Sequence, residues 1–431
     1  MLAAAVLLLF LAALCFCVVT GTEVLWALLF GALCFAGYAA YKGFRGRKLL
    51  RLMWEGVGRV KNALLVICLV GIMTGLWRAC GTLPYIVSHT VSWIDARFFG
   101  LWAFLLSCLM SLLTGSSLCS ASIMGVILML LARSAGADPL LTGGAVLSGI
   151  FFGDRCSPMS SSASLVSSVT QTQLFDNIRA MLRTCILPFL LSVLGYLLLS
   201  LHSTARPVSA AVAAELGDVF VLRWPLLLPA AAIVVLSLFR LNVKLTMLIS
   251  ILLSGAVGAA VQHMGIADIF SVMLFGFQSE TVPFMAGGGL LSVLRVIGIV
   301  SISSTYVGIF RATGLMNIAT RPVRALADRL SPYPAEVLVS LPVAAVSCSQ
   351  NLGILLTDQL CSDCFPSRSE AALGIENSIV LTAALVPWNV AAAAPMLLMD
   401  VGPGCLKFAL FLYLLPLVNS CAAFWRFRHR T

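Results

Sequence analysis

Long apolar stretches recur along this chain, separated by short polar or basic connectors; Leu2 to Val19, Val24 to Tyr41 and Pro225 to Phe239 are examples. A helix needs roughly 20 apolar residues to cross a hydrocarbon core of about 30 Å, so stretches of this kind predict membrane-spanning helices. The strict alternation of a β-barrel is missing. The first run lacks the basic n-region of a secretory signal and a second follows at once, so a retained helix is expected. Further spans are predicted near 57–77, 98–133, 185–201, 222–239, 245–262, 287–310, 403–424 and from Pro334 onward.

Several of these stretches are interrupted by polar residues at membrane depth, where irregular backbone is tolerated only if protein or a water-filled cavity satisfies it. Thr114-Gly115-Ser116-Ser117 breaks the run 98–133, and Ser347-Cys348-Ser349-Gln350-Asn351 breaks the one after Pro334. Between Gly149 and Arg183, Asp154 and Arg155 precede a serine-rich stretch, and the amphipathic pattern Leu174 to Arg183 predicts a separate helix in the interface plane. Segment 134–184 is therefore expected to enter and leave on one side as a re-entrant hairpin. A matching hairpin is expected over Ala371 to Met399, with Glu376-Asn377-Ser378 and Pro387-Trp388-Asn389.

The spacing from Ser116 to Asp154 equals that from Ser349 to Pro387, and the expected helix directions are reversed. The chain thus reads as an all-α polytopic membrane protein of about ten transmembrane helices plus two re-entrant hairpins. They form an inverted repeat, with halves 1–202 and 203–431, of the kind that secondary transporters build around a midplane site.

Composition agrees: 60% of the 431 residues are hydrophobic and 10% charged, outside the range of soluble domains. The net charge of +10 does not point to nucleic acid, because the basic residues lie in short connectors. Lys42 to Arg51, Arg311 to Arg329 and Arg426 to Arg430 predict a plasma-membrane protein with both termini cytoplasmic. The loops holding Asp95 and Arg97, and Glu280 and Pro283, then fall outside, as does the loop Asp358 to Glu370 with Cys361 and Cys364. Most of the 14 cysteines sit in apolar runs as small hydrophobes, and one C-x-x-C without partners makes no zinc site.

Asp154 is the first candidate for binding a proton or cation. Burial favours the neutral form of a carboxyl and a bound cation favours the ionised form, and that competition is the simplest antiport mechanism. Glu376 is placed as its counterpart. Arg295 is expected well inside the span 287–310 without an acidic neighbour, which suggests an anionic substrate. Lys61 reads as snorkelling, and His89, His202, His263 and His429 fall in or near loops and are given no relay role.

Gly153-Asp154-Arg155-Cys156-Ser157-Pro158-Met159-Ser160, Leu174-Phe175-Asp176-Asn177-Ile178-Arg179, Val386-Pro387-Trp388-Asn389 and Thr114-Gly115-Ser116-Ser117 together resemble the NhaC family of sodium/proton antiporters. That family's patterns run close to G-D-K-x-S-P-L-S-D-T-T-N, P-W-N and T-G-T-S. The resemblance implies electrochemically driven exchange of sodium for protons, with Asp154, Ser157, Ser160, Ser116, Ser117, Glu376, Ser378 and Asn389 as site residues. Some members resemble exchangers of carboxylates or amino acids. This chain departs where Ser161 to Ser164 replace D-T-T-N and where Asn377 replaces the acid of E-D-S, which leaves less charge to offset a cation.

An antiporter is favoured by the motifs, and an ion-coupled amino-acid or carboxylate transporter by Arg295 and the lost acids. No clustered nucleophile and base suggests an enzyme. No resident cofactor is expected, sodium entering as substrate or coupling ion. The expected partners are the lipid bilayer, a monovalent cation with protons or a small organic solute, and a second copy by analogy of fold.

Overall fold

The structure, a computed structural model, describes residues 2–20, 22–90, 96–201, 216–239, 241, 243–282, 285–315 and 320–428. It is helical throughout, and the extended pairing among the described residues is one isolated bridge between Phe277 and Gly287. Six helices are long and apolar enough to cross a membrane, or eight if each of two bent pairs is one span. By length and composition the described residues thus fall short of the expected ten. Asp95, His202, Pro283 and His429, named above, lie outside the described residues.

Helices α1 (Leu2–Thr20), α2 (Val24–Tyr41), α3 (Arg47–Ala79) and α14 (Leu294–Thr313) form one packed group. A Cβ on Gly56 would meet the Ser304 carbonyl and one on Gly308 the Leu52 carbonyl, so absent side chains let α3 and α14 touch backbone to backbone. Phe35 lies edge-on to Phe10 and Tyr306, with ring centroids 5.0 Å away in each case. The basic stretch Arg47 to Arg51, expected in a connector, forms the exposed first turns of α3, and Lys61 is exposed on the same helix.

Three short helices were not foreseen, one of them over Thr320–Leu330 in the stretch expected as a basic connector. After Gly81 the chain turns by 63° into α4 (Thr82–Thr90). Helix α11 (Leu228–Leu238) precedes α12 (Val243–Val261), and between α12 and α14 lies α13 (Ile266–Phe275), followed by Gly287, Gly288 and Gly289, all at positive φ. Their bare backbone presses on α3, where Gly289 N–H donates to the Gly71 carbonyl over 2.7 Å.

The remaining architecture is two units of the same construction. In the first, α5 (Phe99–Thr114) ends at Gly115, and α6 (Ser117–Ser120), a π-helical turn and α7 (Val126–Ser134) follow. Then come α8 (Pro139–Cys156), a break, α9 (Ser161–Thr170) and α10 (Leu174–Leu201). Gly100 packs on Leu141, Gly149 on Phe104 and Ser107, and Gly153 on Ser111 and Leu112, so α5 and α8 are parallel. Ser117 meets Asp154 and Gly125 meets Val146, so α6 and α7 run back along them. Segment 99–134 is a helical hairpin with its tip at Gly115-Ser116.

The second unit repeats this. Helix α16 (Pro332–Ser347) turns at Cys348-Ser349 into α17 (Gln350–Cys361). Beyond them run α18 (Arg368–Asn377), α19 (Ile379–Thr382) and α20 (Val390–Leu398). Ser340 and Thr382 hydroxyls are 2.9 Å apart and Asn389 Nδ2 donates to the Ala344 carbonyl over 2.8 Å, so α16 runs parallel to α18 and α19. Gln350 Nε2 donates to the Val380 carbonyl at 3.1 Å as α17 returns. The chain from α18 to α20 bends by only 52°.

The expected assignment is therefore exchanged. The run 98–133 and the one after Pro334, expected as broken spans, fold as the helical hairpins 99–134 and 332–361; 134–184 and 371–399, expected as re-entrant hairpins, hold the broken helices 139–170 and 368–398. The positive-inside rule does not separate these orders, because a hairpin plus a span ends on the same side whichever comes first. Only the loop between them changes side. Arg133 accordingly pairs with Asp400 at 3.0 Å, and Cys364 sits beside Arg324 of α15 (Thr320–Leu330). The loop from Asp358 to Glu370 thus shares a side with the basic helix α15, opposite to the expectation.

A third correction concerns 174–201, expected as an interface helix followed by a span. It is one helix, α10, whose exposed Ile186, Leu190, Leu194 and Leu198 form an apolar row suited to lipid. The chain ends in α21 (Leu410–Arg428), preceded by a 3₁₀ turn over Pro403–Phe408.

Candidate functional site

The two hairpin tips have nearly the same backbone. Gly115 is left-handed at φ 63° and ψ 23°, and Cys348 at φ 52° and ψ 9°. The next residues, Ser116 and Ser349, are extended at φ −144° and −150° and begin the returning arms. The helix breaks match too: Ser160 (φ −68°, ψ 131°) and Asn389 (φ −71°, ψ 138°) open α9 and α20. Each tip touches its own break. A Cβ on Gly115 would strike Met159, and Val390 N–H donates to the Cys348 carbonyl over 3.0 Å.

Asp154, two residues before the end of α8, lies where these pieces converge. It is 3% exposed. Its Oδ1 accepts from the Ser117 N–H at 3.3 Å, the first amide of one returning arm. Its Oδ2 accepts from Gln350 Nε2 at 3.2 Å, on the first residue of the other, and from the Ser162 hydroxyl at 3.2 Å. Helix starts carry partial positive charge and suit an anion. Around the same point, the Asp154 carbonyl accepts from the hydroxyls of Ser160 and Ser162. The Ser116 hydroxyl caps the Cys119 N–H at 3.3 Å, and Thr114 and Ser120 hydroxyls are 2.7 Å apart. All the groups that donate to the carboxylate are neutral, and many of those around it present oxygen.

Arg155 points elsewhere. Fully buried, its Nη2 donates to the Met181 carbonyl and Thr184 hydroxyl, both at 3.1 Å, and to Asn377 Oδ1. It thereby ties α8 and α10 to the break after α18. Asn377, where the resembled pattern carries an acid, is thus spent on Arg155 rather than on Asp154. Likewise Ser161 and Ser164, which replace an acid and an amide, are exposed on α9, whereas Ser162 turns inward.

Of the expected residues, Asp154, Ser116, Ser117 and Ser160 come together. Ser157 lies beside them but bonds the Leu112 carbonyl at 2.8 Å. Asn389 caps α20 through Ala391 N–H at 3.1 Å, holding the second break. Glu376 and Ser378 are fully buried on the second broken helix, and none of their side-chain oxygens has a hydrogen-bond partner. Glu376 feels both Arg155 and Asp154. It is not the register counterpart of Asp154: matching Ser160 to Asn389 sets Ala383 there. Arg295 is not brought in. It stands in the first turn of α14, 57% exposed at the side chain, and pairs with Glu23 at 3.2 Å. The expected in-membrane arginine without an acidic neighbour is a helix-end ion pair. Gln350 and Ser162 were missed as ligands of Asp154 although both lay in flagged segments. Glu336, fully buried on α16, was missed outright; an acid inside the apolar run after Pro334 was its signal.

Two helical hairpins, two broken helices and a carboxylate held between their ends define a membrane carrier of the secondary-transporter class. The match to known proteins is specific: the chain belongs to the Na+/H+ antiporter family, whose model covers residues 1–150 and 149–418. It is 29% identical over 385 residues to the Na(+)/H(+) antiporter NhaC of Alkalihalophilus pseudofirmus, spanning 85% of this chain and 82% of that protein. To the NhaC of Bacillus subtilis it is 26% identical over 403 residues, 90% and 89% of the two chains. The malate-2H(+)/Na(+)-lactate antiporter of Bacillus subtilis is 25% identical over 365 residues, 80% and 77%.

Proposed function

We propose that this multi-pass membrane protein exchanges sodium for protons, with Asp154 as the group for which they compete. The observation that carries this is Asp154 itself: a buried carboxylate at the starts of both returning arms, held only by neutral donors and surrounded by hydroxyl and carbonyl oxygens. A sodium ion suits such a setting, since unwound backbone and half-helix ends commonly supply its oxygen ligands. Asp154, Ser160, Ser162 and Ser116 are the residues that would hold it.

The departures from the resembled pattern do not weaken sodium, because Asn377 faces Arg155 and Ser161 and Ser164 face away. The case for an organic anion rested largely on Arg295, which Glu23 neutralises. The units 99–170 and 332–398 are proposed as the arms of an inverted repeat, within halves 1–202 and 203–431, that rock about Asp154 to alternate access. With the basic ends of α3 and α21 and helix α15 inside, both termini are cytoplasmic in the plasma membrane. A second copy is the expected protein partner.

Purified protein in proteoliposomes with an entrapped pH dye provides the test. Sodium or lithium added outside should drive protons across, and labelled carboxylates and amino acids should not accumulate. Solute uptake without cation-driven proton movement at any pH would overturn the proposal.

A further inference from the structure

We infer that Glu336 is a second proton-carrying carboxyl, set on the α15 side of Asp154 and working through Ser378; this rests on the antiport proposed above. Glu336 is fully buried in α16, and neither carboxyl oxygen has a hydrogen-bond partner. The Ser378 hydroxyl, at the kink of the second broken helix, faces it and likewise has no hydrogen-bond partner. Opposite the carboxyl stands Gly374 of α18, where any Cβ would collide with Oε2 and with the Phe365 ring. The neighbouring helix thus leaves a space that the carboxyl fills.

A structural glutamate in an apolar interior is ordinarily held by a cation or several donors, because an isolated ionised carboxylate there costs several kcal/mol. Here the buried Arg155 gives its Nη2 to Asn377, Met181 and Thr184 instead. One carboxyl facing one hydroxyl is also too few oxygens for sodium. A proton needs only one.

The surroundings supply a route. Asp358 of α17, half-buried with its Oδ1 bonded by the Ser362 hydroxyl, lies within electrostatic range of Glu336. Cys361 on the same helix and Tyr333 on Glu336's own helix are the other titratable groups that feel it. Tyr333 is tied by its hydroxyl to the Asn377 carbonyl at 3.0 Å. From the loop beside α15 the sequence Asp358, Glu336, Ser378 leads to the kink, with Glu376 two residues before it.

The test uses the full chain in lipid, as wild type, Glu336→Gln, Glu336→Asp and the exposed control Glu370→Gln. Infrared difference spectra between high and low pH should show a protonated-carboxyl band that Glu336→Gln removes and Glu336→Asp shifts. In proteoliposomes Glu336→Gln should cut sodium-driven proton flux by about tenfold or more, with sodium–sodium exchange kept within about twofold and partial rescue by Asp. An unchanged carboxyl band in Glu336→Gln, or full proton flux with an unshifted pH profile, would overturn the inference. If wild type moves no protons with sodium, the antiport fails, and the infrared band still decides whether Glu336 carries a proton.

Discussion

Gln350 donates its side-chain amide to the Asp154 carboxylate over 3.2 Å, joining residues 196 positions apart. The bond brings the start of the second returning arm onto the end of the first broken helix. Its neighbour Arg155 reaches the other unit too, at Asn377. Two adjacent residues thus divide the work: one carries the carboxylate of the proposed ion site, the other clamps the two units.

Asp154→Asn is expected to abolish sodium-driven proton movement while leaving the fold intact. The amide oxygen still accepts from Ser117 N–H, while its NH2 replaces the oxygen that accepts from Gln350 and Ser162, so what is lost is the charge, the titrating proton and those two bonds. Flux in proteoliposomes and thermal unfolding in detergent, measured on the same preparation, check both halves.

Gln350→Ala should cost about 1–2 kcal/mol of stability through the lost hydrogen bonds to Asp154 and the Val380 carbonyl and raise the sodium concentration for half-maximal flux. A wild-type sodium dependence would show that the second tip does not bear on the ion.

Asn377→Asp is expected to stabilise the protein, since Arg155 is already buried and lacks an acidic partner within ion-pair distance. A rise in melting temperature with unchanged sodium selectivity would separate the clamp from the ion site. Lowered selectivity would place Asn377 at the ion after all.

Gly153→Ala should destabilise by about 1–3 kcal/mol, because its Cβ would run into the backbone of Ser111 and Leu112. Gly217→Ala, where a Cβ meets nothing, is the control. Chemical or thermal denaturation distinguishes them.

The exchanged hairpins yield a sidedness test. Cysteines placed at Glu370 and Arg324 should react with an impermeant reagent from one side, and those at Asp138 and Asp400 from the other, in a background lacking the exposed Cys15 and Cys421. Cys361 itself is buried and makes a poor reporter. Labelling of Glu370 and Arg324 from opposite faces would restore the original order.

What the sequence determined was local. Long apolar runs settled the class, because a helix in lipid must satisfy its own backbone. Glycine, serine and proline at Gly115-Ser116, Ser349, Pro158 and Pro387 stand at the breaks of the two repeated units, since such residues are the ones that interrupt a helix, whereas the turn after Gly81 went unread. The family motifs marked Asp154. Direction after a break was decided only by the tertiary structure: Gly149 and Gly153 lay α8 parallel to α5, which turns 99–134 into a hairpin. Partners were decided there too. Arg295 met Glu23, Arg155 met Asn377 and Asp154 met Gln350, pairings that no spacing along the chain encodes, because they depend on how separate helices pack.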